Sequence, residues 1–145
     1  MKLSTRGRYG IQAMYDLALH MQDGPQPLKA VAERSEVPEA YLEQLIGGLR
    51  RCGLVKSVRG AFGGYALSRA PGEITVGDVL RASEGDLCLT DCLTCETACQ
   101  RACQCPSRRV WQKLTDGLNR IADGITLQDM LDDGEQMRKE GTQQA

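Results

Sequence analysis

The sequence predicts a mostly α-helical protein with a small β-hairpin, arranged as a winged helix-turn-helix followed by a long helix. Three observations predict it. Apolar residues recur at helical spacing in three successive segments before Gly53. The pattern then switches to alternation on both sides of a glycine-rich turn. Further on, a proline opens a long segment with a single apolar stripe.

Ser4 or Thr5 is placed to cap the first helix, and Ile11, Met14, Tyr15, Ala18 and Met21 form its apolar face. Gly24-Pro25 ends it. Leu28, Val31 and Ala32 make a short second helix that stops near Ser35. Pro38 suits the first turn of a third, whose buried stripe is Leu42, Leu45, Ile46 and Leu49 and whose stop is Gly53. The Gly47-Gly48 pair inside it costs about 1 kcal/mol per residue relative to alanine; no local reason accounts for it, and close backbone approach is one candidate.

Leu54 to Val58 alternates as a strand, residues 59–64 turn, and Tyr65 to Ser68 returns. Ile74 adds a short third strand. Thr75 and Asp78 form a capping box ahead of Val76, Val79 and Leu80. Pro106 opens the long helix, with Val110, Trp111, Leu114, Leu118 and Ile121 on one face and Gly124 as its end. Thr126 and Asp129 start a last short helix through Leu127, Met130 and Leu131, and the polar tail from Glu135 frays.

The chain has 145 residues, enough for one compact domain with an appendage. Aromatics make up 4%, so the core is mostly aliphatic. No apolar run approaches the roughly 20 residues of a membrane span, and the N-terminus has no signal-peptide stretch. A cytoplasmic protein without a membrane partner is expected. The net charge of −1 hides an asymmetry: residues 1–70 carry ten Lys/Arg against six Asp/Glu, and residues 71–145 eight against thirteen. A basic N-terminal half suits a polyanion.

The third helix buries one stripe and leaves Glu39, Tyr41, Glu43 and Gln44 on or near the other face, which fits a DNA major groove. Gln44 has the chemistry to pair with an adenine edge. Arg50 and Arg51 are phosphate candidates, as are Arg6 and Arg8. Arg59, at the hairpin tip, is placed for a minor groove or the backbone. Winged helices also dock proteins, which is the rival reading of this segment. Tyr9, Tyr15 and Phe62 are expected to pack in the core or hairpin, and His20 to be a structural surface residue at a helix end. No paired carboxylates, nucleophile–histidine pattern or phosphate loop suggests an enzyme.

Cys52 stands apart, while Cys88, Cys92, Cys95, Cys99, Cys103 and Cys105 lie within 18 residues. In a reducing compartment such a cluster points to metal or redox chemistry rather than disulfides. Zinc prefers two close pairs, and Cys103-x-Cys105 is a tight second pair for Cys92-x-x-Cys95. The looser spacing and the Cys105-Pro106 ending favour an iron–sulfur cluster over zinc, with a thiol-disulfide switch third.

A family resemblance rests on the segments at residues 3–9, Tyr41-Leu42-Glu43-Gln44-Leu45, Gly53-Leu54-Val55, Ser57-Val58-Arg59-Gly60, Gly63-Gly64-Tyr65, Val76-Gly77-Asp78-Val79 and Ile125-Thr126-Leu127. The chain resembles the iron–sulfur-dependent bacterial repressors typified by IscR and NsrR over nearly its whole length. The resemblance implies a dimeric cytoplasmic transcription factor whose long helix pairs the protomers. It implies a recognition helix at residues 38–51, a wing tip at Arg59, and promoter DNA as partner. It also implies cluster ligands at Cys92, Cys99 and Cys105. Arg108 stands where IscR-type proteins place a histidine, and Arg8 where NsrR-type proteins place an aspartate. The fourth ligand is therefore open among Cys95, taken first, then Cys88 and Cys103. A [2Fe-2S] cluster is favoured over [4Fe-4S]. Some relatives carry no cluster and sense thiols or oxidation.

The division expected is residues 1–84 for DNA binding, 85–105 for the cluster loop, 106–134 for the dimerisation and C-terminal helices, and 135–145 as a flexible tail. The competing functions are a zinc- or thiol-sensing regulator and a redox or electron-transfer protein whose winged helix binds protein.

Overall fold

The computed structural model describes residues 3–95, 97 and 99–143. Helix α1 (Thr5–Leu19) begins at Ser4, whose hydroxyl oxygen accepts the Arg6 N–H at 3.2 Å. Helices α2 (Leu28–Ser35) and α3 (Glu39–Arg51) form the helix-turn-helix, with Pro38 just ahead of the first turn of α3. Strands β1 (Val55–Val58) and β2 (Gly64–Leu67) pair antiparallel, from Val55 opposite Leu67 outward to Val58 opposite Gly64. Helix α4 (Val76–Glu84) follows, then the cysteine segment containing the single turn α5 (Asp91–Thr94). Helices α6 (Pro106–Gly124) and α7 (Leu127–Gln143) complete the chain. The fold is the mostly helical winged helix-turn-helix expected, and the Thr75/Asp78 capping box is formed.

The predicted α3 stripe of Leu42, Leu45, Ile46 and Leu49 is buried. Leu42, Ile46 and Leu49 join Met14 and Leu17 of α1, Val31 of α2, Val55 of β1, Val79 of α4 and Leu127 of α7 in one aliphatic core. Burying such a side chain contributes about 1.5–3 kcal/mol. Tyr9 packs on this core and meets Tyr41 edge to face, with ring centroids 5.3 Å apart. Phe62 does the opposite of what its residue type suggests. It lies beyond the last strand pair and is 94% exposed, uncovered by the described residues.

Helix α4 lies very close to two others. A Cβ on Gly10 of α1 would strike the Ser83 hydroxyl, and one on Gly48 of α3 would lie 3.1 Å from the Ala82 carbonyl oxygen. That contact gives Gly48 its reason; nothing comparable crowds Gly47. The Glu84 carboxylate accepts from the Gly7 N–H at 2.9 Å and the Ser4 hydroxyl at 2.5 Å, so an anion sits at the positive end of α1.

Asp16 is buried on the inner side of α1. Arg34 of α2 grips it with two hydrogen bonds of 2.9 and 2.8 Å and also donates to the Gln26 side-chain oxygen at 2.8 Å. The bond to Asp16 holds the Arg34 guanidinium above its usual pKa. His20 ends α1 with Nδ1 3.4 Å from the Asp16 carboxylate, a structural position.

Two expectations change. Ile74 does not extend the hairpin, which stays two-stranded. Its carbonyl accepts from the Leu127 N–H at 3.0 Å, and the Val76 N–H donates to the Ile125 carbonyl at 2.8 Å, so Thr75 bridges to Thr126. Helix α7 also does not stop near residue 134 but runs to Gln143. Its polar second half carries side-chain pairs one turn apart, Glu135 with Lys139 and Gln136 with Glu140, which support helix without burial. Among the described residues no helix is long and apolar enough to cross a membrane.

The close approach at Gly10 makes a definite prediction. Gly10→Val should destabilise the protein by about 1–3 kcal/mol through overpacking against Ser83. Thermal unfolding followed by circular dichroism measures it, and an unchanged midpoint would contradict the α1–α4 contact.

Candidate nucleic-acid interface and cysteine loop

The buried stripe of α3 fixes which of its residues face out. Glu39, Glu43, Gln44, Arg50 and Arg51 are exposed, and so are Arg6 and Arg8 on α1. Tyr41 is half-buried, because its ring is held against Tyr9. Arg6, Gln44 and Arg51 come together in one open cleft of about 320 Å³, which Arg81, Ser83 and Glu84 also line. The end of α3, the start of α1 and the end of α4 thus share one basic surface. Arg59 is exposed at the far end of the hairpin, and the burial of the strands falls from their base at Val55 and Leu67 outward.

The cysteine segment is held more by polar contacts than by packing. The Cys88 thiol donates to the Thr90 carbonyl at 3.3 Å, and the Cys92 sulfur lies 3.1 Å from the Thr90 hydroxyl. The Cys95 sulfur lies 2.8 Å from the Thr97 hydroxyl. Cys92, Cys99 and Cys105 are half-buried, as is Cys88, while Cys95 and Cys103 are exposed. Cys105 immediately precedes α6 and, with Cys103, borders a cleft of about 430 Å³ that reaches Arg108 and Arg109. Cys52 stands apart, exposed at the end of α3.

Among the described residues no three His, Cys, Asp or Glu side chains lie together as a metal site. The predicted ligands Cys92, Cys99 and Cys105 share a loop without converging on one point. The donor chemistry nevertheless fits an iron–sulfur cluster: soft thiols in excess, half-buried, next to arginines that offset thiolate charge. Arg108 cannot replace a histidine ligand, since a guanidinium has no free lone pair. It donates instead to the Cys92 carbonyl at 3.2 Å.

The loop is joined to α6 by further contacts. The Leu89 N–H donates to the Thr115 hydroxyl at 3.4 Å, and the Asn119 amide donates to the Leu87 carbonyl at 2.9 Å. From the other side, Arg81 of α4 donates to the Asn119 side-chain oxygen at 2.9 Å and pairs with Asp123. Thr115, Asn119 and Asp123 were not singled out in the sequence. Their four-residue spacing opposite the apolar stripe was the available signal. The stripe itself is uncovered in the single chain: Leu114 is 51% and Ile121 66% exposed, and Val110 and Trp111 are exposed beside them.

Comparison with known proteins places this geometry. The family model Rrf2, an iron-dependent transcriptional regulator, matches residues 3–133. The transcriptional regulator CymR of Bacillus subtilis is 41% identical over 138 residues, which span 94% of this chain and 95% of CymR. IscR of Aliivibrio salmonicida is 43% identical over 135 residues, spanning 93% of this chain and 80% of IscR. The solved structure of T. potens IscR matches with a TM-score of 0.76 at 47% identity, covering 94% of this chain and 90% of that one. The structure of CymR, the global cysteine regulator of B. subtilis, matches with a TM-score of 0.73 at 39% identity, covering 90% and 95%. These relatives are named as transcriptional regulators, not enzymes. With its winged helix, exposed basic surface and near full-length matches, this chain belongs to the Rrf2 family of transcriptional regulators.

Proposed function

We propose that this chain is a cytoplasmic, homodimeric repressor whose affinity for double-stranded promoter DNA is set by an iron–sulfur cluster in residues 88–105. The observation that carries the reading is the direct attachment of a six-thiol loop to α6, which is itself joined through Arg81 to the winged helix. Helix α3 enters the major groove, where Gln44 reads an adenine edge and Glu39 and Glu43 are placed to accept from cytosine amino groups. Tyr41 keeps α3 seated on α1 through Tyr9. Arg6 and Arg50 neutralise phosphates, and Arg59 meets the minor groove or backbone. Cys92, Cys99 and Cys105 hold the cluster as thiolates, with Cys95, then Cys88 or Cys103, as fourth ligand. A [2Fe-2S] cluster is the type proposed over [4Fe-4S], both of which four thiolates can hold. When bound, such a cluster supplies iron–thiolate bonds that respond to iron supply and oxidation.

The bare α6 stripe is the surface that pairs two chains. Because Cys105 adjoins the start of α6, a change in the loop alters how that helix docks and how the two recognition helices are spaced. The second reading is a thiol-sensing regulator without a cluster. Similarity to CymR, whose solved structure is described as that of a global cysteine regulator, favours it. Iron content and visible absorption of anaerobically purified protein separate the two.

Cys92→Ser, Cys99→Ser and Cys105→Ser should each abolish iron loading while Cys52→Ser loads normally. The three unloaded variants should remain folded dimers with altered DNA affinity, since the winged helix has its own core. A colourless Cys52→Ser beside a loaded Cys99→Ser would reverse the ligand assignment.

The DNA-facing residues separate by salt titration. Arg59→Ala should weaken binding to every duplex and lower the salt slope by about one. Gln44→Ala should keep the slope and lose about 1–3 kcal/mol of sequence discrimination. Loss of neither would refute the assigned interface.

For the dimer, Ile121→Glu should give a folded monomer by sedimentation. The site is 66% exposed in the single chain, so the charge should disturb pairing and not the protomer. A dimer of unchanged mass would place the interface elsewhere.

A further inference from the structure

We propose that Phe62 is an apolar wedge which the wing inserts into the minor groove of the bound duplex, between the bases of one partly opened step. This rests on the DNA-binding reading and adds a specificity element to it.

Phe62 is the only phenylalanine in the sequence and, among the described residues, the most exposed large apolar one. The hairpin does not need it. Strand pairing ends at Val58 opposite Gly64, and the buried anchors are Val55 and Leu67 at the other end. Its ring stands at the tip of a cationic hairpin, where a polyanionic partner can cover it.

The hairpin is also built as a stiff mount. Gln26, in the connection between α1 and α2, exchanges two backbone hydrogen bonds of 2.8 Å with Tyr65. Gly64 presses on the Gln26 backbone, at a φ of 151°. The turn closes with the Gly63 N–H donating to the Gly60 carbonyl at 3.0 Å. A Cβ on Gly63 would collide with the Val58 carbonyl, so the tip is kept slim next to the ring. Ala61 is the other neighbour. A slim tip with one protruding ring matches a groove roughly 6 Å wide.

Charge selects nucleic acid as the occupant. Residues 54–70 contain Lys56, Arg59 and Arg69 and no acidic residue. Arg59 stands three residues before Phe62 on the same turn, so phosphate neutralisation and wedge insertion occur together. Apolar side chains inserted from the minor groove unstack a step and kink the duplex. Pyrimidine–purine steps open most easily, so the wedge confers preference for TA or CA/TG at a fixed distance from the bases α3 reads. No hydrogen bond to that step is required.

The test uses the full-length protein and a duplex selected by it from a random-sequence pool, with 2-aminopurine substituted in turn at candidate steps. Wild type should raise 2-aminopurine fluorescence at one step per half-site. Phe62→Ala should abolish that rise and weaken binding about tenfold, the loss of one base–aromatic stack. Its salt slope should not change, because no charge is removed. Phe62→Leu, which keeps an apolar wedge, should retain most of both signals. Phe62→Ala should melt at the wild-type temperature, because the side chain is 94% exposed. Unchanged affinity in Phe62→Ala would overturn the proposal. So would a wild-type complex with no fluorescence rise at any step, which would leave Phe62 to a protein partner. Wild type binding no duplex at all would fail the DNA-binding reading, and the wedge with it.

Discussion

The rest of the structure depends on how closely α4 approaches its neighbours. Its C-terminal half meets α1 at Gly10 and α3 at Gly48, positions where a side chain would hold the helices apart. The Glu84 carboxylate completes the contact by bonding the start of α1. Two helices that carry outward basic residues are thereby fixed to one short element. The same element extends Arg81 to Asn119 and Asp123 of α6. Helix α4 thus contacts α6 through Arg81 and lies close to α3 at Gly48.

The two faces of α6 have opposite chemistry, and this divides its work. Thr115, Asn119 and Asp123 bond to the loop or to α4, and each bond is polar and breakable. Val110, Leu114 and Ile121 offer apolar area with no partner in the single chain. In the proposed dimer the apolar face is the one that meets a second copy, and the polar face is the one joined to the cysteine loop. The loop has little buried area of its own. In such a segment metal–thiolate bonds would contribute a large share of the local order.

Asp16 and Arg34 do a different job. A carboxylate buried on the inner side of α1 costs desolvation, which two direct hydrogen bonds from Arg34 offset. The pair joins α1 to α2, and Gln26 ties it to the connection on which the wing is mounted. The lone acid in an otherwise apolar run, Met14-Tyr15-Asp16-Leu17-Ala18, was the sequence signal for this contact.

What the sequence determined by itself was local. Leu42, Leu45, Ile46 and Leu49 are buried because their spacing puts them on one helical stripe. Thr75 and Asp78 cap α4 because the pair needs only three residues of separation, and the strands flank a turn that glycine permits. The outward residues of α3 followed from the same periodicity, and so did the α6 stripe. Tertiary structure decided whatever depends on distant partners. Gly48 is explained by Ala82, Ile74 pairs toward Leu127 and not with the hairpin, and Phe62 is left bare by the described residues. Helix α7 runs on through polar residues that pair one turn apart, a pattern without the apolar period that marks a buried helix. For the cysteines the sequence supplied spacing and donor type. The tertiary structure adds that Thr90 contacts both Cys88 and Cys92 and that Cys105 stands at the start of α6, neither of which spacing encodes.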